Sequence, residues 1–551
     1  MKITLTKPWL AIPCSDTAPT ARICLLEGDR ILYDALCNFD ARTPSDTAYV
    51  DIERFMGRTV DLKLTVGEEL GNILVTPEIK NVPLRWAEPE LDPETCLVDA
   101  MDLPAIPWSE PLRPKVHFTV PAGIASDPNG LIWYQGTYHL FYQYDPSPWG
   151  GSDIHWGHAT SSDLLFWEIH KPALYPDDTG AILSGSSIED TGNLTGFSQN
   201  GETPMLLYYT AAGDRVLHTA LNGHRRTIGL ACSLDGGRTF TKYPDNPIIG
   251  FLFNRNRDPK VVWVEEMQKY VMVIYLGDEE NRIYSFFSSA DLIHWNPLQE
   301  VRLKEDRECP DIYMLKCGNE RKWILSGAND YYLVGHFTPE GFVPDQEAQP
   351  LMYTDTTYAA QSFSGTPDGC IKRICWNRNQ HQISMMPYCT QQMGFPTQMQ
   401  LEKIDGRYCL SAQPVEEIRK LYQDTRQIKD TTLSSVLSLS PAQGPLDVEL
   451  KLPYLPNVRL VLDLFGQKLV LDTTDNLVIF QDIQMPLSLQ KDSIDLRLLL
   501  DTVSLEAFAD HGRFCFTAYH IWEYTKPDVE LSTNTPIPVD LFACHALASI
   551  H

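Results

Sequence analysis

Three stretches of the sequence share one pattern, and this pattern constrains the fold more than any other feature. In each stretch an acid and a proline stand directly before a short apolar run, and a polar turn leads into a second apolar run; the acids are Asp127, Asp258 and Glu308. Short runs rich in β-branched and aromatic residues predict β-strands, so each acid stands at the start of a predicted β-hairpin. If the three hairpins are equivalent units of one repeat, the three acids should converge.

A second recurrence supports the repeat. Near Asp163, Asp235 and Asp291, a serine and an aspartate form a predicted turn, and an aromatic residue follows four or five positions later. Such signatures are typical of β-propeller blades, and the length of the repeat region, residues 115–415, predicts five blades of roughly 60 residues each. The first strand of a blade lies nearest the axis. The three acids are therefore predicted to point into one axial funnel.

The flanking segments predict two further β-structures. Residues 1–110 predict a small β-sandwich-like domain, and a proline-rich stretch, 103–114, predicts an extended linker. Residues 416–430 predict a short helix, and the strand patterns over 430–551 predict a C-terminal β-sandwich. The predicted fold class is therefore all-β: a five-bladed β-propeller followed by a C-terminal β-sandwich, with an additional small N-terminal β-domain.

Charge and cysteine content limit the classes of partner. The chain has 551 residues, with 45 basic and 72 acidic side chains and a net charge of −27. This surface argues against binding nucleic acid or an anionic membrane and is compatible with a neutral substrate. The 13 cysteines are scattered without zinc-ligand spacing, so no metal or cofactor is predicted. Reduced thiols and the lack of a convincing signal peptide predict a cytoplasmic protein, although export by another route stays open.

Three converging carboxylates suggest chemistry on a sugar. Two carboxylates on either side of a glycosidic bond are the minimum for its hydrolysis: one protonates the leaving oxygen, and the other attacks the anomeric carbon or activates water. An aspartate before a proline also commonly starts a turn, which would explain a single such motif, but three favour a site. His155 and His158 would face opposite sides of a strand, which argues against a metal site there.

Several motifs resemble glycoside hydrolase family 32, which contains invertases, inulinases and levanases. The resemblance covers the chain from about His117 to near the C-terminus. The N-terminal segment is similar to an accessory β-domain found ahead of some bacterial members. The residues that carry the resemblance are Asp127-Pro-Asn-Gly130, Tyr138–Tyr144, Trp149-Gly150, His155–Ala159, Arg257-Asp258-Pro259, Glu308-Cys309, Gln361-Ser-Phe363 and Gly394–Gln400.

The resemblance implies a role for each acid. Asp127 would be the nucleophile that forms a covalent fructosyl-enzyme, and Glu308 would be the general acid and then the base. Asp258 would hold fructose hydroxyls and stabilise the transition state, with Arg257 beside it. Configuration would be retained, which requires Asp127 and Glu308 carboxyls about 5 to 5.5 Å apart. Five further positions would line the sugar pocket: Asn129, Gln143, Trp149, Ser184 and, as a second aromatic wall, Trp376.

Two substrate-binding positions depart from the family pattern. Ser126 stands where the family usually has an asparagine directly before the nucleophile, and Leu183 stands where an aromatic residue often precedes Ser-Gly-Ser. Both are expected at the pocket rim, where they would affect activity, acceptor use or the choice of fructoside.

The favoured activity is exo-acting release of fructose from sucrose, fructo-oligosaccharides, inulin or levan, without a cofactor. A fructosyltransferase of the same fold and a weakly active or non-catalytic fructan-binding module are alternatives. So is an inverting glycosidase, which would need carboxyls about 6.5 to 9.5 Å apart.

Overall fold

The structure is a computed structural model that describes residues 2–15, 20–38, 46–66, 99–101, 111–145, 154–215, 219, 223–253, 255–277, 280–378, 391–522 and 524–551. Strand accounts for 58% of the described residues and helix for 2%, so the fold is all-β. Within the described ranges, no helix is both long enough and apolar enough to cross a membrane.

The N-terminal strands form two sheets. One sheet has the order β1-β6-β3-β4 and the other β5-β2-β7, and a short 3-10 helix, Glu53–Phe55, precedes β6. Buried apolar side chains from both sheets, such as Leu10, Ile23 and Leu62, share one core. The strands are β1 Lys2–Thr4, β2 Trp9–Cys14, β3 Thr20–Glu27, β4 Arg30–Asn38, β5 Asp46–Asp51, β6 Thr59–Val66 and β7 Asp99–Met101.

Five antiparallel sheets follow in chain order. The first is β8 Ile124–Tyr134, β9 Thr137–Asp145, β10 His155–Ser161 and β11 Glu168–Leu174. The second is β12 Ala181–Glu189, β13 Met205–Ala212, β14 Arg226–Ser233 and β15 Thr241–Lys242. The third is β16 Arg257–Val264, β17 Lys269–Tyr275, β18 Ile283–Ser289 and β19 Asn296–Arg302.

The remaining two sheets each have five strands. The fourth is β20 Asp311–Cys317, β21 Glu320–Ser326, β22 Tyr331–Thr338, β23 Gly341–Pro344 and β24 Gln349–Pro350. The fifth is β25 Thr357–Ser362, β26 Lys372–Asn377, β27 Gln392–Met393, β28 Thr397–Ile404 and β29 Arg407–Pro414.

The five sheets form a closed ring. The first strand of each sheet (β8, β12, β16, β20 and β25) contacts the first strand of the next, and β25 contacts β8. Apolar cores lie between neighbouring sheets, because their faces are lined with large side chains. Trp156 of the first sheet and Tyr209 of the second belong to one buried apolar cluster. Tyr313 of the fourth sheet and Phe363, after the first strand of the fifth, belong to another. This is the packing of a β-propeller, and it brings the five first strands together at the centre.

Two six-stranded sheets complete the chain. Their orders are β30-β41-β32-β37-β38-β39 and β31-β40-β33-β34-β35-β36, and one apolar core draws on both, as in a β-sandwich. The strands are β30 Tyr422–Leu433, β31 Val436–Leu439, β32 Leu446–Pro453, β33 Arg459–Leu464, β34 Gln467–Asp472, β35 Leu477–Phe480, β36 Ile483–Pro486, β37 Ser493–Asp501, β38 Ser504–Ala509, β39 Phe514–Tyr519, β40 Val529–Thr533 and β41 Ile537–Leu547.

The helix predicted over residues 416–430 is largely wrong. A 3-10 helix covers only Glu416–Leu421, and β30 begins at Tyr422. The reason is pairing: β30 runs antiparallel to β41 from Tyr422↔Leu547 to Leu433↔Ile537. Its threonines and Ile428 suit a strand that pairs along its length.

A buried ionic group joins the central sheets to the sandwich. His117 Nδ1 lies 2.8 Å from Asp501 Oδ2 in β37, and His117 Nε2 lies 3.4 Å from Glu506 Oε1 in β38. Glu506 Oε1 also accepts a hydrogen bond from Asn377 Nδ2 of the fifth sheet at 2.7 Å. This contact fixes the sandwich against the end of the fifth sheet's second strand.

Candidate active site

The three predicted acids lie around a single cysteine at the centre of the ring. Cys309 Sγ lies 3.5 Å from Asp127 Oδ2 and 3.7 Å from Asp258 Oδ2. The Cys309 backbone N–H donates to Asp258 Oδ2 at 3.0 Å, and Glu308 directly precedes Cys309. The structure thus brings the carboxylates of the first, third and fourth sheets into one group.

Irregular backbone at the starts of the first strands aims these side chains at the centre. The strand registers shift between Ala125 and Pro128, between Leu183 and Gly185, and between Arg257 and Lys260. Such bulges bend a strand and redirect its side chains. Proline lacks an N–H and is tolerated at a bulge, which explains the proline after each aspartate. Asp258, Glu308 and Cys309 also have φ of 60°, 49° and 39°, a strained conformation that concentrates at functional sites.

Asp127 is held by its neighbours through one oxygen. Its Oδ2 accepts hydrogen bonds from Ser184 Oγ at 2.5 Å and from Gln143 Nε2 at 2.8 Å. Asn129 fixes the backbone at Asp127 and Gly185, because its Nδ2 donates to the Asp127 carbonyl at 2.9 Å and its Oδ1 accepts from the Gly185 N–H at 3.2 Å. Burial and the charge of Glu308 raise the pKa of Asp127, and the Ser184 hydrogen bond opposes this rise.

Asp258 is anchored from the second sheet. Its backbone N–H donates to Thr210 Oγ1 at 2.8 Å, and Thr210 Oγ1 donates to the Ser184 carbonyl at 2.9 Å. One threonine therefore sets the relative positions of Asp258 and of the serine that binds Asp127. Burial raises the pKa of Asp258 to about 6, although the Arg257 charge partly offsets this effect.

Glu308 is the most exposed of the three acids and is bound on both oxygens. Its side chain is 33% exposed, and Oε1 lies 2.9 Å from Arg257 Nη2. The Tyr358 hydroxyl donates to Oε2, and the Arg257 guanidinium lies over the Tyr275 ring, 4.6 Å from its centroid. Burial pushes the pKa of Glu308 upward, but Arg257 and Tyr358 outweigh burial and hold the pKa below its usual range.

The pKa values of Asp127 and Glu308 shift in opposite directions, and their order is the reverse of the one that the implied roles require. A general acid needs a raised pKa and a nucleophile a low one. Here the pKa of Asp127 is raised and that of Glu308 is lowered. The Arg257 and Tyr358 contacts are the cause, so Glu308 gains a proton more readily once either contact is weakened.

Three other predicted binding positions, Ser126, Leu183 and Trp376, differ in burial and in their neighbours. Ser126, directly before Asp127, is half-buried. Leu183 is buried in an apolar group with Ala181 and Ala212. Trp376 is half-buried, with its ring edge-on to Tyr358 at 6.2 Å between centroids and its Nε1 donating to Gln391 Oε1 at 3.1 Å.

Trp149 lies outside the described residues. Across the described part of the chain, no group of three or more His, Cys, Asp and Glu side chains is arranged to hold a metal ion.

Sequence reasoning missed two residues of the site, Tyr358 and Thr210. Tyr358 lies in β25, the first strand of the fifth sheet, beside a register shift between Tyr358 and Gln361. It therefore occupies the type of position held by Asp127 in the first sheet. Extending the rule from acids to any polar side chain at the start of a first strand would have found Tyr358. Thr210 lies near the end of β13, a position without a comparable signal.

Two family models match most of the part of the chain that follows the N-terminal sheets. Residues 117–414 match the family model described as Glycosyl hydrolases family 32 N-terminal domain, and residues 464–533 match the Glycosyl hydrolases family 32 C terminal model. A levanase of Bacillus subtilis (strain 168) is 33% identical over 353 residues, which cover 59% of this chain and 50% of the levanase. An invertase of Schizosaccharomyces pombe is 35% identical over 320 residues, covering 53% of each chain. The chain spans about half the length of these curated relatives.

Solved structures share the fold. An exo-inulinase from Aspergillus awamori superposes with a TM-score of 0.69 at 24% identity, covering 81% of this chain and 100% of that chain. A fructofuranosidase from Schwanniomyces occidentalis complexed with fructose gives a TM-score of 0.70 at 24% identity, covering 80% and 99%. Such neighbours have a β-propeller followed by a β-sandwich, the arrangement described above.

Proposed function

The chain belongs to glycosyl hydrolase family 32, and from this premise we propose that it is a retaining β-fructosidase. Its substrates would be sucrose, fructo-oligosaccharides, inulin or levan, from which it would release terminal fructose. The observation that carries the proposal is the group of three carboxylates, in which Ser184 and Gln143 hold Asp127 while Arg257 and Tyr358 hold Glu308. Two differently held carboxylates are what a double-displacement mechanism needs.

In the proposed first step, Asp127 attacks the anomeric carbon of the fructosyl unit. Ser184 and Gln143 both bind Oδ2, so we assign the attack to Oδ1. Their hydrogen bonds favour the ionised form, which the nucleophile requires, against the burial that raises its pKa. Glu308 donates a proton to the leaving oxygen, and in the second step it accepts a proton from the water that releases fructose.

Glu308 must carry a proton before it can act as the acid. In the unliganded site Arg257 and Tyr358 favour its carboxylate form. We propose that a bound fructosyl unit draws hydrogen bonds from these two residues, which raises the pKa of Glu308 during binding. Asp258 is next to Arg257, with 3.7 Å between Oδ2 and Nε, and would accept hydrogen bonds from ring hydroxyls.

Sugar-release profiling on sucrose, kestose, inulin and levan tests the proposal, with Asp127→Asn and Glu308→Gln as variants. Fructose release by the native chain and its loss in both variants support a catalytic role. Binding of fructans without release in any protein supports the non-catalytic module instead. The anomer released first, followed by NMR, separates retention from inversion, because an inverting enzyme would release the opposite anomer.

A fructosyltransferase is separated from a hydrolase by product analysis at high substrate concentration. Accumulation of oligosaccharides longer than the substrate would show that a sugar hydroxyl replaces water. Release of monomeric fructose alone, from chain ends, supports exo-acting hydrolysis.

We also propose that the five consecutive sheets are the blades of a five-bladed propeller over residues 115–415, since their first strands close a ring. Residues 430–551 would then be the sandwich domain, extended by β30, and residues 1–110 an accessory β-domain. An experimental structure would test the blade number and the boundaries. A cytoplasmic location, proposed from cysteine usage and the N-terminal sequence, is tested by cell fractionation.

A further inference from the structure

Three consecutive large apolar side chains are exposed just before the third sheet. Phe251, Leu252 and Phe253 are 50%, 44% and 57% exposed, and they lead into Arg257 and Asp258 at the start of β16. Single exposed apolar residues are ordinary on protein surfaces. Three adjacent ones, two of them aromatic, form a patch of the kind that marks a binding surface.

The topology places this apolar segment, residues 251–253, at the same end of the ring as the carboxylates. The first strands run in the same direction through the ring, and Asp127 and Asp258 both stand near the starts of theirs. The segment precedes β16 and so lies beyond the same end. Arg257 is four positions after Phe253, a span of at most about 14 Å for an extended chain. The apolar segment therefore lies at the rim of the site.

Hydrogen bonds hold the apolar segment in place and connect it to the site. Asn256, fully buried, accepts from the Leu252 N–H at 3.2 Å through Oδ1 and donates to the Gly250 carbonyl at 3.3 Å through Nδ2. Arg257, which binds Glu308, donates from Nη1 to the Arg255 carbonyl at 2.7 Å. Asn256 therefore holds the segment, and Arg257 of the site holds the chain directly after it.

A second contact connects the apolar segment to the neighbouring sheet. Arg255 Nε lies 3.5 Å from Asp214 Oδ2, and Asp214 also binds Arg226 Nε at 2.9 Å. Asp214 follows the end of β13 and Arg226 begins β14, so both lie at the carboxylate end of the second sheet. Because Arg255 is two positions after Phe253, this contact places the chain directly after the segment at the rim between the second and third sheets.

We propose that Phe251 and Phe253 form a platform on which the sugar units of a longer fructan pack, beyond the fructosyl unit that is cleaved. This inference rests on the proposed function and extends it to substrate length. The leaving chain must pass Glu308, the most exposed acid, and Arg257, which binds Glu308, also holds the chain just after the apolar segment. The C–H faces of a neutral sugar pack against aromatic rings without needing a charged partner. A disaccharide is too short to use the platform fully.

The test compares Phe251→Ala, Phe253→Ala and the double variant with the native chain on sucrose and on long inulin and levan. The expected result is a fall of about ten-fold in the ratio of kcat/KM for a long fructan to kcat/KM for sucrose, the effect of losing one packed aromatic side chain. Phe166→Ala is the matched control. Phe166 is 49% exposed but follows β10, which runs away from the carboxylate end, so its loss should leave the ratio unchanged.

A binding measurement keeps this test independent of turnover. Affinity for long inulin is measured in Asp127→Asn, with and without the two phenylalanine substitutions, and should fall when they are added. An unchanged ratio together with unchanged affinity overturns the platform while the fructosidase proposal stands. Absence of fructose release from every substrate overturns the fructosidase proposal, and the affinity series then decides the platform alone. A native dimer that the variants convert to a monomer, with substrate ratio and affinity unchanged, would instead assign the segment to self-association.

Discussion

The Tyr358 hydroxyl donates a hydrogen bond to Glu308 Oε2, across the gap between the fifth and fourth sheets. Arg257 binds the other oxygen from the third sheet, 2.9 Å from Oε1. The carboxyl is therefore held from both sides by donors that favour its ionised form. Since these donors belong to different sheets, the protonation state of Glu308 depends on how the sheets are positioned in the ring.

Replacing Tyr358 with phenylalanine removes one of these donors. The pKa of Glu308 should rise, because its ionised form loses a hydrogen bond. If Glu308 is the general acid, activity is lost as pH rises through its pKa, so the alkaline limb of the pH profile should move to higher pH. We expect kcat/KM for sucrose to fall by about ten-fold, because the bound fructosyl unit loses the hydrogen bond proposed for Tyr358.

The measurement for Tyr358→Phe is kcat/KM as a function of pH. Tyr422→Phe is a matched control, since Tyr422 donates to the Asp447 carboxylate at 2.6 Å in the sandwich, away from the site. A shift of the alkaline limb to lower pH, or an identical shift in both variants, would contradict the role given to Tyr358.

Ser184→Ala should act on the opposite limb. Ser184 Oγ donates to Asp127 Oδ2 at 2.5 Å and lowers a pKa that burial raises. Without this bond the pKa of Asp127 rises further, and the nucleophile is ionised only at higher pH. The acid limb should move to higher pH and kcat should fall by about ten-fold. Ser187→Ala is the control. Ser187 lies in the same strand as Ser184 and donates a buried hydrogen bond to the Gly130 carbonyl, so its loss should leave the acid limb in place.

The sequence predicted the acids of the site well and their surroundings less well. Asp127, Asp258 and Glu308 were found because acid, proline and apolar run recur in one order, a local signal that repeats with the fold. Ser184 and Gln143 were found only through the resemblance to a family. Thr210 could not be found, because its role depends on the spacing between two sheets, which no local pattern encodes.

Contacts between residues far apart in sequence set a related limit. The helix predicted at 416–430 failed because pairing with a distant strand outweighed local propensity. Leu183 is buried with Ala181 and Ala212, next to the register shift between Leu183 and Gly185. The predicted effect of the departures at Ser126 and Leu183 on substrate choice stays a prediction.

His117 should stabilise the fold in a pH-dependent way. Burial alone would lower its pKa, but Glu506 and Asp501 raise it to about 10. A histidine with a raised folded pKa contributes stability that is complete below its unfolded value of about 6.5 and is lost as pH rises toward the folded value. Thermal stability should therefore fall between about pH 6.5 and 10.

The variant His117→Gln tests the same group at fixed pH. It leaves Asp501 and Glu506 without their cationic partner, which costs about 3–5 kcal/mol when one partner of a buried ion pair is removed. Denaturant unfolding near pH 6 should show this loss, with a weaker dependence on alkaline pH than in the native chain. His294→Gln, at a side chain that is 81% exposed, is the control. Equal alkaline slopes in the native and His117→Gln chains would exclude His117 as the titrating group.

A pair of buried histidines, His139 and His158, should make the fold sensitive to acid instead. His139 Nδ1 lies 3.0 Å from His158 Nε2, and the His158 ring stacks on Phe141 at 4.4 Å between centroids. Burial lowers the pKa of His139 to about 4 and that of His158 well below its usual value. The unfolded chain binds protons at these residues below about pH 6.5, whereas the folded chain does not, so stability is lost as pH falls toward 4. The melting temperature should drop between pH 7 and pH 4.5.

The double variant His139→Asn/His158→Asn should be less stable at pH 7, because it disturbs a packed and hydrogen-bonded pair. Its melting temperature should nevertheless fall less than that of the native chain between pH 7 and pH 4.5, since the unfolded chain no longer gains protons at these two positions. His294→Asn, at the exposed side chain, should keep the native acid dependence. If the double variant loses as many degrees on acidification as the native chain, the acid sensitivity arises from the buried carboxylates and not from this pair.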